Sequence, residues 1–125
     1  MKLNAVAVSS NNIEKTIEFY RILGFEFPDL NENEDHIEST NSDAVKLMID
    51  SKSLLKEIIG EMPKPANHSS FAIQYDSPEK VNKIVKDIES KNFKLVKKPW
   101  DAFWGQRYAI VEDPDGYKVD LYAYN

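Results

Sequence analysis

Offset by sixty-five positions, the sequence aligns with itself: Val6-Ala7-Val8 falls on Phe71-Ala72-Ile73, Asn12 on Ser77, and Glu14-Lys15 on Glu79-Lys80. Each segment reads as a short strand, a polar cap and an amphipathic helix. A chain of 125 residues that writes this unit twice is confined to one compact domain, or two half-size modules sharing a core. The modules fall at about 1–62 and 66–125, joined by Met62-Pro63-Lys64-Pro65, whose spaced prolines stiffen a chain without pairing it.

In the first copy, Leu3 to Val8 reads as a strand. Asn12 is a helix cap followed by Ile13, Ile17, Phe19, Tyr20 and Leu23 at helical spacing. Gly24 stops that helix, and Phe25 to Pro28 begins the next strand. Asp29 to Asp35 is an acidic tip, His36 to Thr40 and Ala44 to Asp50 are further strands, and Ser53 to Gly60 is a short helix. In the second copy, Asn67 to Tyr75 is a strand, and Ser77-Pro78-Glu79 caps a helix running to about Lys91. Phe93 to Lys97 is a strand, and Gly105 to Glu112 forms a hairpin with Tyr117 to Ala123 around Asp113-Pro114-Asp115-Gly116. Proline presets the second residue of that turn, and glycine accepts the positive φ after it. Each half therefore reads βαβββ.

Composition removes several classes. Apolar residues at 42% and charged residues at 30% describe an ordinary globular chain. A net charge of −5 argues against nucleic acid, which needs a concentrated basic face. The one basic cluster, Lys94 to Lys98, is broken by Leu95 and Val96 and reads as an edge strand with solvated lysines. No cysteine means no disulfide and no thiolate metal site. No apolar run suits a signal peptide or membrane span, so no membrane partner and a cytoplasmic location are expected. There is no glycine-rich phosphate loop, nucleophile elbow or serine–histidine–aspartate spacing.

Phe19-Tyr20 ending a helix before Leu23-Gly24-Phe25, the loop Trp104-Gly105-Gln106-Arg107, and Glu112-Asp113-Pro114-Asp115-Gly116 leading to Val119-Asp120-Leu121 together resemble the vicinal oxygen chelate superfamily. It includes glyoxalase I, bleomycin-resistance proteins, fosfomycin-modifying enzymes and extradiol dioxygenases. The resemblance implies an α+β fold in which two βαβββ modules form a cupped mixed sheet with helices outside. It also implies a homodimer.

By the same resemblance, metal-dependent members take one ligand from the first strand of each module and another from a later strand of each. Here those positions match Ala5, Ser70, Leu47 and Asp120. Alanine and leucine cannot coordinate, serine is a poor ligand, and one carboxylate does not hold a catalytic metal. No metal and no cofactor are therefore expected. His68, two residues before Ser70 and on its strand face, offers a half-site with Asp120; read without a metal, it is a hydrogen-bonded histidine near the rim. His36 follows the acidic tip and either joins that half-site or lies outside the cup.

Strand parity puts Val6, Val8, Phe71 and Ile73 on one face, under the helices, and Ala5, Ala7, Ser70 and Ala72 on the other. The small face either lines an open floor or meets large side chains from across the sheet. Trp100, Phe103 and Trp104 share a loop; Trp104, Gln106, Tyr108 and Ile110 share parity, as do Asp120 and Tyr122. Flat aromatic walls with few polar groups suit a planar guest, and the Asp120 carboxylate suits a cationic or hydroxyl group on it. The tryptophans alternatively close the core or a dimer contact. Arg107 either orients an anion or forms a salt bridge.

The expected ligand-binding set is Trp104, Tyr108, Ile110, Asp120, Tyr122, His68, Ser70 and Trp100, with no catalytic residue. The expected function is metal-free sequestration of an aromatic or amphipathic small molecule, such as an antibiotic. The alternative is a glyoxalase-like lyase or isomerase, or a thiol transferase, using His68 and Asp120. A third possibility is a module whose cup serves only subunit assembly.

Overall fold

A computed structural model describes all 125 residues, which divide into two compact units, Met1–Pro65 and Ala66–Asn125. In the first unit, β1 (Ala5–Ser10) leads to α1 (Ile13–Leu23), β2 (His36–Glu38), β3 (Lys46–Ser51) and α2 (Lys52–Ile59). The sheet order is β1-β3-β2, with β1 parallel and β2 antiparallel to β3. The Asn12 side chain accepts from the Lys15 backbone N–H and starts α1. Gly24, at φ +114°, ends it: its own N–H returns to the Arg21 carbonyl, and that of Phe25 to Tyr20. Ile13, Ile17, Phe19, Tyr20 and Leu23 are buried on the helix, and Val8, Ile37, Leu47 and Ile49 on the sheet. Met48 and the polar His36, Glu38 and Asp50 point the other way, as alternation requires.

The first unit has three paired strands where four were expected. Phe25 to Pro28 forms no strand. It is fastened beside the end of β2 by the Thr40 N–H to the Glu26 carbonyl (2.9 Å). Alongside, the Asn41 side chain replaces a backbone peptide, accepting from the Glu26 N–H and donating to the Gly24 carbonyl, both at 2.9 Å. Pro28 has no N–H with which to extend the ladder.

The second unit holds β4 (Ser69–Gln74), α3 (Pro78–Ser90), β5 (Lys94–Ala102), β6 (Gln106–Glu112) and β7 (Lys118–Tyr124). Its sheet order is β4-β7-β6-β5, with only the β4–β7 pair parallel. Ser77 caps α3 through the Lys80 N–H, with Pro78 at the first turn. The two helix caps are thus the residues related by the offset of sixty-five. Val81, Ile84, Val85 and Ile88 of α3 are buried, as are Ala109, Val111, Val119, Leu121 and Ala123 of the sheet. Each large aliphatic chain so covered stabilises by about 1.5–3 kcal/mol before conformational entropy is subtracted. Only one face of this sheet is covered by the unit's helix.

The β6–β7 turn forms as read. Gly116 (φ +97°) donates to the Asp113 carbonyl, and buried Asp113 accepts from the Asp115 and Tyr117 N–H groups at 2.9 and 3.0 Å. Strand β5 runs past Lys97 to Ala102, so Trp100 belongs to a strand and not to a loop. Its register shifts between Lys97 and Trp100 accommodate Pro99 on an edge strand. No helix is long and apolar enough to cross a membrane.

Candidate functional site

The face of the second sheet turned away from α3 concentrates the chemistry. Across β4, β7, β6 and β5 the register sets Ala72, Asp120, Ile110 and Lys97 in one rung, and Gln74, Tyr122, Tyr108 and Trp100 in the next. Directly opposed residues share a face. The Tyr108 and Tyr122 rings are stacked, 5.8 Å apart and 17° from parallel. Trp100 meets Tyr108 edge-on at 5.3 Å and Trp104 does so at 5.5 Å. Trp104 lies in the β5–β6 turn and is steadied by its indole N–H on the Gln106 side-chain carbonyl, 2.8 Å away.

Beside these rings, Asp120 is the hub of a hydroxyl network. One carboxylate oxygen accepts from the Tyr108 hydroxyl at 2.5 Å, and the other from the Ser69 hydroxyl. Burial, and then the bond to Asp120, push the Tyr108 hydroxyl pKa well above the ordinary tyrosine value. Tyr108 therefore stays a neutral donor whose ring angle is fixed by its own hydroxyl. The Tyr122 hydroxyl reaches Gln74 more loosely, at 3.4 Å.

The structure brings Trp100, Trp104, Tyr108, Ile110, Asp120 and Tyr122 onto this one face. Ser70 is different: Ser69 pairs with Lys118 and Phe71 with Val119, leaving Ser70 as the extra residue of a bulge. The serine that reaches Asp120 is Ser69, which simple alternation puts on the opposite side. His68 is exposed, and its Nδ1–H donates to the Ser69 carbonyl at 3.1 Å. Arg107 projects to the α3 side, where Nε donates to Asn82 at 3.0 Å and the guanidinium meets Asp101 at 3.3 Å. Lys97 was missed: its ammonium stands 4.2 Å from the Trp100 ring centroid.

In the first unit, the polar sheet face holds a separate cluster around His36. Its Nδ1 meets Asp50 at 2.5 Å and its Nε2 meets Glu38 at 2.7 Å, while Lys46 holds the other Glu38 oxygen at 2.8 Å. Carboxylates only accept, so both bonds are satisfied together only by the doubly protonated ring. Asp50 first, then Glu38, raise the His36 pKa above its usual 6.5.

A metal centre of the kind the resemblance implies does not fit these residues. Leu47 is fully buried on the α1 side and presents nothing to the opposite face. The pairing Ala7–Met48 corresponds, through the offset of sixty-five, to Ala72–Asp120, so the twin of Asp120 is Met48. A thioether suits soft metals only. Both Asp120 oxygens already accept hydroxyl protons, and no group of three or more histidine, cysteine, aspartate or glutamate side chains clusters in a way that could hold a metal ion.

Comparison with known proteins agrees with the architecture. A family model described as the glyoxalase/bleomycin resistance protein/dioxygenase superfamily matches residues 2–121. "Uncharacterized protein YraH" of Bacillus subtilis (strain 168) is 32% identical over 127 residues, covering 98% of each chain. A solved structure of a glyoxalase-related enzyme from Fulvimarina pelagi superposes with a TM-score of 0.83 at 16% identity, covering 98% of this chain and 87% of that one. A family enzyme from Burkholderia phytofirmans PsJN gives 0.81 at 15% identity, with both chains covered in full. At such identities the two structures speak for the fold alone.

Proposed function

The chain belongs to the glyoxalase/bleomycin resistance protein/dioxygenase superfamily, and from that membership we propose that it is a metal-free small-molecule-binding protein that captures a planar aromatic compound. The observation that carries this reading is the pair of stacked tyrosines, Tyr108 and Tyr122, flanked by Trp100 and Trp104 on a sheet face that α3 leaves uncovered. Aromatic rings supply large contact area with few rotatable bonds, so a flat guest is held at small entropic cost. The Tyr108 hydroxyl, tied to Asp120, keeps one wall in place before the guest arrives. Sequestration follows from affinity and abundance alone, and an aromatic antibiotic is one compound that it would protect against.

Titration of the full chain with planar aromatic compounds, followed by tryptophan fluorescence, tests the reading. Saturable quenching is expected, weakened about fivefold or more by Trp104→Ala or Tyr108→Ala. Absence of any change with every planar compound overturns it.

A second reading, a glyoxalase-like lyase or isomerase or a thiol transferase using His68 and Asp120, draws on one observation: both side chains bond to Ser69, His68 to its carbonyl and Asp120 to its hydroxyl. Metal analysis of protein purified without chelator separates the two. Stoichiometric nickel, zinc or manganese that disappears in His68→Ala favours the enzyme.

A further inference from the structure

The charges around the aromatic platform are unequally committed, and this selects a ligand class. Asp120 and Lys97 stand in the same rung on either side of Ile110, at roughly 10 Å by strand spacing. Asp120 has both oxygens engaged by the Ser69 and Tyr108 hydroxyls, so a ligand cation settling there must compete with or displace them. Glu112, on the same face, is answered by Lys94 at 3.3 Å and Lys118 at 3.7 Å. Lys97 alone is left with an aromatic partner and no carboxylate: its ammonium rests over Trp100, edge-on to Tyr108. An ammonium carries three donors and no acceptor. An anion placed against it gains hydrogen bonds without breaking any.

We propose that the compound held on this face is an aromatic anion, its ring against Tyr108 and Trp100 and its acidic group on the Lys97 ammonium. This rests on the binding reading given above and narrows it. Lys97 then acts as a specificity-determining residue, because the apolar contacts are common to any flat ring while the ammonium rewards only one sign of charge. The exposed position of Lys97 limits the effect to that of a solvent-screened ion pair, which salt weakens.

Three probes that share a ring and differ in head charge decide the matter: naphthoate, naphthylmethanol and naphthylmethylammonium, each titrated calorimetrically into the full chain. The expected order places naphthoate about threefold to tenfold tighter than the alcohol, and the ammonium weakest. Lys97→Met, which keeps the apolar stem, should bring naphthoate level with the alcohol, the loss falling far more on naphthoate than on the alcohol. Raised salt should erase the same difference. If alcohol and naphthoate bind equally and Trp104→Ala weakens both, the aromatic face stands and the anion preference is overturned. An ammonium probe that binds as tightly as naphthoate also overturns it. If none of the three binds, the binding reading fails and takes the preference with it.

Discussion

At the scale of single residues, His36, Glu38 and Tyr108 respond to their surroundings in measurable ways. His36, clasped by Asp50 and Glu38, has its folded-state pKa raised, so its contribution to stability is complete below the unfolded value of about 6.5 and is lost as pH rises through the folded value. Glu38, lowered first by Lys46 and then by His36, behaves oppositely: its contribution is present above its usual 4.5 and fades as pH falls through its lower folded value. Stability from this cluster should therefore be greatest between those two ordinary values and decline toward alkaline pH. Proton NMR should show the His36 imidazole titrating above 6.5, and denaturation midpoints of His36→Gln should lose the alkaline decline; a midpoint at or below 6.5 contradicts this. At the second unit, Tyr108→Phe removes a donor from half-buried Asp120 and should cost about 1 kcal/mol, read from urea denaturation. Which serine serves Asp120 was not legible in the sequence. A bulge at Ser70 reverses the parity beyond it, and the residues around it, Ser69-Ser70-Phe71, carry no glycine or proline to mark it.

At the scale of elements, caps and turns were read where side chains dictate backbone locally. Asn12 and Ser77 both cap as the duplicated sequence requires, and Asn12→Ala or Ser77→Ala should each cost about 1 kcal/mol in thermal or chemical unfolding. Asp113→Ala should cost more, roughly 2–3 kcal/mol, because one buried carboxylate there accepts from two backbone N–H groups at once. Equal losses at Asp113 and at the caps would show that the turn is held by Pro114 and Gly116 without the side chain. What failed at this scale was non-local. Phe25-Glu26-Phe27 has strand composition, yet Asn41, fifteen residues after Glu26, ties it down with a side-chain amide in place of a ladder. Strand β5 outran its expected end because the pairing of Trp100 with Tyr108 outweighs the local discouragement of Pro99.

For the molecule as a whole, the duplication was the most legible property because it is written in pattern, whereas the face on which a side chain emerges depends on register. Leu47 shows the difference: one position along, Met48 occupies the open face. Strands β1 (AVAVSS) and β4 (SSFAIQ) end their sheets without a single charged residue, and uncharged edges invite further pairing. We therefore expect sedimentation equilibrium to give a mass of twice the 14.4 kDa chain; a monomer at micromolar concentration would refute that expectation. The opposite border of the second sheet is guarded differently. Strand β5 sets Lys94, Lys97 and Lys98 along an exposed margin that also carries Val96. Lysines on an edge discourage strand pairing between copies, so acetylating those ammonium groups, the same chemical treatment that silences Lys97, should also turn a clear solution toward fibril growth.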